Sequence, residues 1–91
     1  MPEPPHSDDR RRAPRRPASG PVSLKFSGDL GNVDAELIDV SATGFRTRHH
    51  RGLLPLGANA DFSYSEASGS VRVVWNWMFP DHVETGFVII K

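Results

Sequence analysis

The chain has 91 residues, room for one small domain with a modest core. It has no cysteine, which excludes a disulfide framework and a thiolate zinc site and fits a reducing compartment. The formal net charge is zero, yet Arg10, Arg11, Arg12, Arg15 and Arg16 crowd residues 10–16, while residues 21–91 hold six Lys/Arg against eight Asp/Glu. The even basic surface of a duplex-DNA binder is therefore absent, and one concentrated cationic site points to a compact anionic partner.

Residues 1–20 contain five prolines and almost no large apolar side chain. Such a segment cannot bury enough surface to offset its ordering entropy, so it is expected to be a flexible Arg/Pro-rich arm. From residue 21 the pattern turns to period two. Val22, Leu24 and Phe26 alternate with polar residues, as do Val33, Ala35 and Leu37. A short run over 45–48 follows, then Ala58 to Tyr64, Val71 to Trp77, and Val83 to Ile89. These predict half-buried strands. Gly- and Pro-containing turns separate them: Ser27-Gly28-Asp29, Gly31-Asn32, Thr43-Gly44, Pro55-Leu56-Gly57, Ser68-Gly69 and Pro80-Asp81. No stretch has a 3.6-residue period, and no internal repeat is present. The expectation is an all-β fold, a small six-stranded antiparallel barrel over 21–91, because closure removes the edges an open sheet would expose. No apolar run approaches the roughly 18 residues of a membrane span, and the N-terminus lacks the apolar stretch of a signal peptide, so a cytoplasmic chain without membrane insertion is expected.

Two motifs carry chemistry. In the first, Arg11 and Arg15 stand four apart, and so do Arg12 and Arg16. Guanidinium pairs bidentately with phosphate, pairs with the O6/N7 edge of guanine, and stacks on a base; lysine does only the first well. A solvated basic tail is the ordinary alternative. The second motif is Asp39-Val40-Ser41-Ala42-Thr43-Gly44. A carboxylate accepts from guanine N1–H and N2–H, a hydroxyl both donates and accepts, and glycine suits a positive φ or a close approach. An ordinary Asx/Ser turn between two strands is the alternative here.

In this order and spacing the two motifs resemble the PilZ domain, whose mark is an Arg-x-x-x-Arg ahead of a first strand and an Asp/Asn-x-Ser-x-x-Gly further on. Gly44-Phe45-Arg46-Thr47, Leu54-Pro55-Leu56-Gly57, Val71-Arg72-Val73-Val74-Trp75 and Thr85-Gly86-Phe87-Val88 extend the likeness over roughly residues 10–90. The resemblance implies a six-stranded barrel that binds the bacterial second messenger cyclic di-GMP. It implies that the arginines grip a phosphate and the Hoogsteen edge of a guanine. Asp39 and Ser41 would contact the other side of the base and the sugar-phosphate, with Gly44 keeping the turn open. The Arg11/Arg15 and Arg12/Arg16 registers both remain, the first preferred because Ala-Pro then precedes the second arginine. Neither the helix that often follows this barrel nor an attached output domain is expected, so any signal is expected to pass through a downstream protein partner or through a change in the domain's own surface.

Other residues carry weaker signals. Trp75 and Trp77 share a face with Val71 and Val73, which predicts core packing, with a base-stacking platform as the alternative. Arg46, Arg48 and Arg51 read as a solvated face or an extension of the cationic rim. His49-His50 points opposite ways on a strand and makes no metal site. No nucleophile elbow, P-loop or dinucleotide loop is present, so neither an enzyme nor a cofactor is expected. Two alternatives to the cyclic di-GMP receptor are a PilZ-fold adaptor acting only through protein contacts and a single-stranded nucleic-acid barrel using Arg and Trp.

Overall fold

A computed structural model of the chain describes residues 15–90. Seven strands follow in order: β1 (Arg16–Pro17), β2 (Pro21–Phe26), β3 (Asn32–Val40), β4 (Gly44–His49), β5 (Asn59–Tyr64), β6 (Ala67–Met78) and β7 (Val83–Ile90), with one 3-10 turn at Gly28–Leu30. The sheet order is β1-β3-β2-β5-β6-β7-β4, and a further β3–β4 pairing closes it. All pairings are antiparallel. β1 and β2 lie in line along the same edge of β3, Pro17 opposite Asp39 and Pro21 opposite Glu36. The result is the expected six-stranded barrel plus one short extra strand, and that strand lies within the segment expected to be an arm. Among the described residues no helix is long and apolar enough to cross a membrane.

The period-two pattern becomes the barrel wall. Val22, Leu24, Phe26, Val33, Ala35, Leu37, Ala60, Phe62, Val71, Val73 and Phe87 point inward and are buried, while their polar neighbours face water. Phe45 sits at the centre, edge-on to Phe62 at 5.0 Å and tilted against Phe87 at 5.3 Å.

Two bulges interrupt the alternation. In β3 the register slips between Leu37 and Asp39, and in β6 between Val73 and Trp75. Each inserts one unpaired residue, so every side chain beyond it changes face. Val71 and Val73 stay inside, but Trp75 emerges opposite Gly86 and is only half-buried, and Trp77 is 55% exposed. Core packing, expected for both tryptophans, is therefore corrected: the bulge at Val74 turns them outward.

Asn76 takes the inward place instead and joins a buried polar chain. The Arg51 N–H donates to His49 Nδ1 (3.1 Å), so the neutral ring carries its proton on Nε2, which faces the Thr85 hydroxyl at 2.8 Å. That hydroxyl donates to Asn76 Oδ1, which also accepts from the Leu54 N–H, while Asn76 Nδ2 donates to the Leu54 carbonyl. The chain pins the loop after β4 to β6 at the end of the barrel away from the β3–β4 turn. His49 is 2% exposed; desolvation first, then the neighbouring His50, Arg51 and His82, hold its pKa below the ordinary value.

β4 begins where β7 comes closest. A Cβ on Gly44 would run into the Phe87 carbonyl and the backbone of Val88. Gly44 is buried and has no positive φ, so it serves strand-to-strand approach and not an open turn.

Two outcomes follow from this packing. A folded-state pKa depressed at His49 gives a contribution that is complete above its unfolded value of about 6.5 and is lost as pH falls below it. The thermal midpoint should hold from pH 8 to 7 and decline between pH 6.5 and 5.5; His49→Gln, less stable throughout, should show a flatter profile there. Gly44→Ala should cost about 2–3 kcal/mol in denaturant unfolding, since only backbone stands in the way of the new methyl.

Candidate functional site

The turn between β3 and β4 is built from its own residues. The Ser41 N–H donates to the Gly44 carbonyl at 2.8 Å, leaving Ala42 and Thr43 as the turn. Ser41 Oγ accepts from the Thr43 N–H at 3.2 Å and lies 3.2 Å from Thr43 Oγ1, the serine turn expected of this spacing. The Thr43 carbonyl accepts from the Ile89 N–H, fixing the turn to the end of β7.

Behind the turn the bulge at Ile38 decides the chemistry. Straight alternation after Val33, Ala35 and Leu37 would aim Asp39 into the core. The slip instead sets Val40 opposite Phe45 and Asp39 opposite Arg46, on the outer face. There Asp39 is 7% exposed, covered by two guanidinium groups. Arg15 Nη1 donates to Oδ1 at 2.8 Å, and Arg46 donates to Oδ2 from Nε at 3.1 Å and Nη2 at 2.5 Å. The carboxylate has a charge-assisted partner on each oxygen, which offsets its desolvation.

β1 explains how Arg15 arrives. Pro17 pairs with Asp39, and Arg15, two residues earlier, is placed for the same face, whereas Arg16 pairs with Val40 and is turned the other way. Arg15 and Asp39 of the two sequence motifs are thus in direct contact, and Ser41 and Gly44 stand beside them in the turn. Arg16 does not join them. Arg11 and Arg12 lie outside the described residues.

The outer row continues past Asp39. Arg46 pairs with Gly86 of β7, and Gly86 with Trp75 of β6. The indole of Trp75 lies over Gly86, where a Cβ would collide with the ring. One strip of surface therefore presents, in order, Arg15, Asp39, Arg46, a side-chain-less step, and an indole. Such a strip offers cations able to pair with phosphate, a carboxylate able to accept hydrogen bonds and an aromatic surface able to stack. Polar contacts continue beyond Arg46: Nη1 is 4.0 Å from Glu84 Oε1, and Glu84 Oε2 is 3.5 Å from His82 Nε2. The His82 ring is stacked on Phe79 at 4.6 Å.

Of the other rim arginines, Arg51 is spent on the carbonyls of Leu30 and Asn32, away from this strip. Arg46, read as solvated or rim from the sequence, is the site residue that reasoning missed. The signal was present: a two-residue turn at Ala42–Thr43 sets residue 39 opposite residue 46 by simple counting.

Among curated proteins, no relative matches the chain. A family model does match, that of the PilZ domain, over residues 9–87, which takes in both motifs and six of the seven strands up to the middle of β7. With the closed barrel and the Asp-x-Ser-x-x-Gly turn in place, this match establishes that the chain belongs to the PilZ domain family, a family of cyclic di-GMP-binding modules and not of catalysts.

Proposed function

We propose that this chain is a receptor for cyclic di-GMP, with Arg15 and its partner Arg11 taking a phosphate and a guanine edge, Asp39 and Ser41 reading the other side, and no reaction catalysed. The observation that carries this reading is the contact between Arg15 and Asp39, residues 24 apart in sequence that both belong to the two family motifs. A basic tail with no task has no reason to dock on Asp39, the one buried carboxylate among the described residues. Trp75, half-buried three strands from Asp39 in the same row, supplies an aromatic surface for a base. Arg12 and Arg16 form the alternative pair; the inverted facing of Arg16 in β1 favours Arg15.

The signal then passes to a protein partner. The chain offers an apolar surface for one at the end of the barrel away from the turn. Leu53 and Leu56 are 61% and 67% exposed on the loop that Asn76 ties to β6, and Trp77 and Met78 follow Asn76 directly. Exposed apolar groups of this size mark interaction surfaces. An adaptor that works through this surface without a nucleotide is the second reading.

Calorimetric titration separates these readings. Cyclic di-GMP should give a saturable heat, and an oligonucleotide at the same concentration should give none. No heat from cyclic di-GMP would leave the adaptor reading standing. Arg15→Ala should weaken binding by about 1.5–3 kcal/mol, the range for hydrogen bonds to charged groups. Ser41→Ala should weaken binding too, and it should also lower stability by about 0.5–1.5 kcal/mol, because its hydroxyl accepts the Thr43 N–H within the turn. Binding unchanged in Ser41→Ala alongside that stability loss would confine Ser41 to the turn.

A further inference from the structure

The two guanidinium groups on Asp39 are not equivalent. Arg15 reaches Oδ1 with one N–H, from a side chain that is 46% exposed and stands ahead of a two-residue strand. Arg46 holds Oδ2 with two N–H groups, from within β4, where it is paired on one side with Asp39 and on the other with Gly86. Its remaining terminal nitrogen faces Glu84 at 4.0 Å, so the guanidinium lies between two carboxylates. One cation is anchored by the barrel itself; the other is attached at a single point.

We infer that Arg46 is the positioning residue of this site: it stays on Asp39 as a fixed counter-ion while Arg15 passes from Asp39 to the anionic ligand. The inference rests on the cyclic di-GMP reading above. That ligand carries two phosphodiester charges. If Arg15 leaves Asp39 to meet one of them, a carboxylate that is 7% exposed loses a cation. Without another it would be an unpaired anion repelling a dianion at close range. With Arg46 in place the Asp39–Arg46 pair is neutral. The departure of Arg15 uncovers Oδ1, the oxygen Arg46 does not touch, and leaves it an acceptor of fixed direction. Guanine presents donors at N1 and N2 to such an acceptor; adenine presents an acceptor at N1 and no amino group at position 2. Arg46 therefore governs base selectivity through Asp39, without touching the ligand.

The test combines nucleotide titration with thermal melting on the wild type, Arg15→Ala, Arg46→Gln, Asp39→Asn and the double variant Asp39→Asn/Arg46→Gln. Arg46→Gln should weaken cyclic di-GMP on the order of tenfold or more and shrink the preference for cyclic di-GMP over cyclic di-AMP. In the Asp39→Asn background the same substitution should have little further effect on either quantity, since a neutral amide needs no counter-ion. Equal losses in both backgrounds would show Arg46 acting on the ligand directly and overturn the assignment, as would intact selectivity in Arg46→Gln. Melting without nucleotide checks the asymmetry independently. Arg15→Ala should shift the midpoint little and Arg46→Gln clearly more; equal shifts would refute the fixed and transferable roles whether or not any nucleotide binds. A wild type with no affinity for cyclic di-GMP but with the asymmetric melting pattern would overturn the receptor reading and the hand-over together, and leave Arg46 only as the anchor of Asp39.

Discussion

A carboxylate held out of water on the outside of a small barrel needs a cation on each open side, and the arrangement around Asp39 meets that requirement. The bulge at Ile38 brings Asp39 to the outer face, the two-residue turn sets Arg46 across from it, and β1 delivers Arg15 to its other oxygen. A neutral residue at 39 would leave β1 with only a short ladder to hold it.

The inward half of the barrel was plain in the sequence. Alternation at Val22 to Phe26, Val33 to Leu37 and Ala58 to Tyr64 gives strand positions and inward residues directly, because a strand with one wet face must repeat every two residues. Alternation cannot show where it stops. A bulge is one added residue with no composition of its own, so Trp75 and Trp77 read as core and Asp39 reads as a strand-end residue whose neighbours are unknown. The role of Gly44 was hidden for a different reason. The close approach of β7 is a property of barrel closure, and no local pattern around residue 44 records it. The link between the arginine motif and the Asp39 turn came from likeness to a family, because a contact spanning 24 residues leaves no periodic trace. Arg46 was within reach of counting alone, once the turn at Ala42–Thr43 was taken as two residues long.

Stability and recognition occupy different parts of the molecule. The aromatic centre at Phe45 and the chain from His49 through Thr85 and Asn76 to Leu54 fill the interior and the end away from the turn. The strip proposed for recognition lies outside, on β3, β4, β7 and β6 near the turn. β7 belongs to both: Phe87 and Thr85 face inward, while Gly86 between them lies in the strip and Glu84 backs Arg46. Such a strand transmits a change on one side to the other, since its backbone cannot shift for Gly86 without moving both inward neighbours.

The two bulges also act on the strands as a change of reading frame acts on a message. Inside and outside are the two phases of a strand, and one extra residue exchanges them for everything downstream. Here the exchange is made in β3 and β6 but not in β4 and β7, and only then do Asp39, Arg46, Gly86 and Trp75 fall in phase across four strands. Straightening β3 or β6 by a one-residue slip of its far half, with the sequence unchanged, would therefore do more than remove a kink. It would put a carboxylate or an indole into the slot of a core side chain and a core side chain into water.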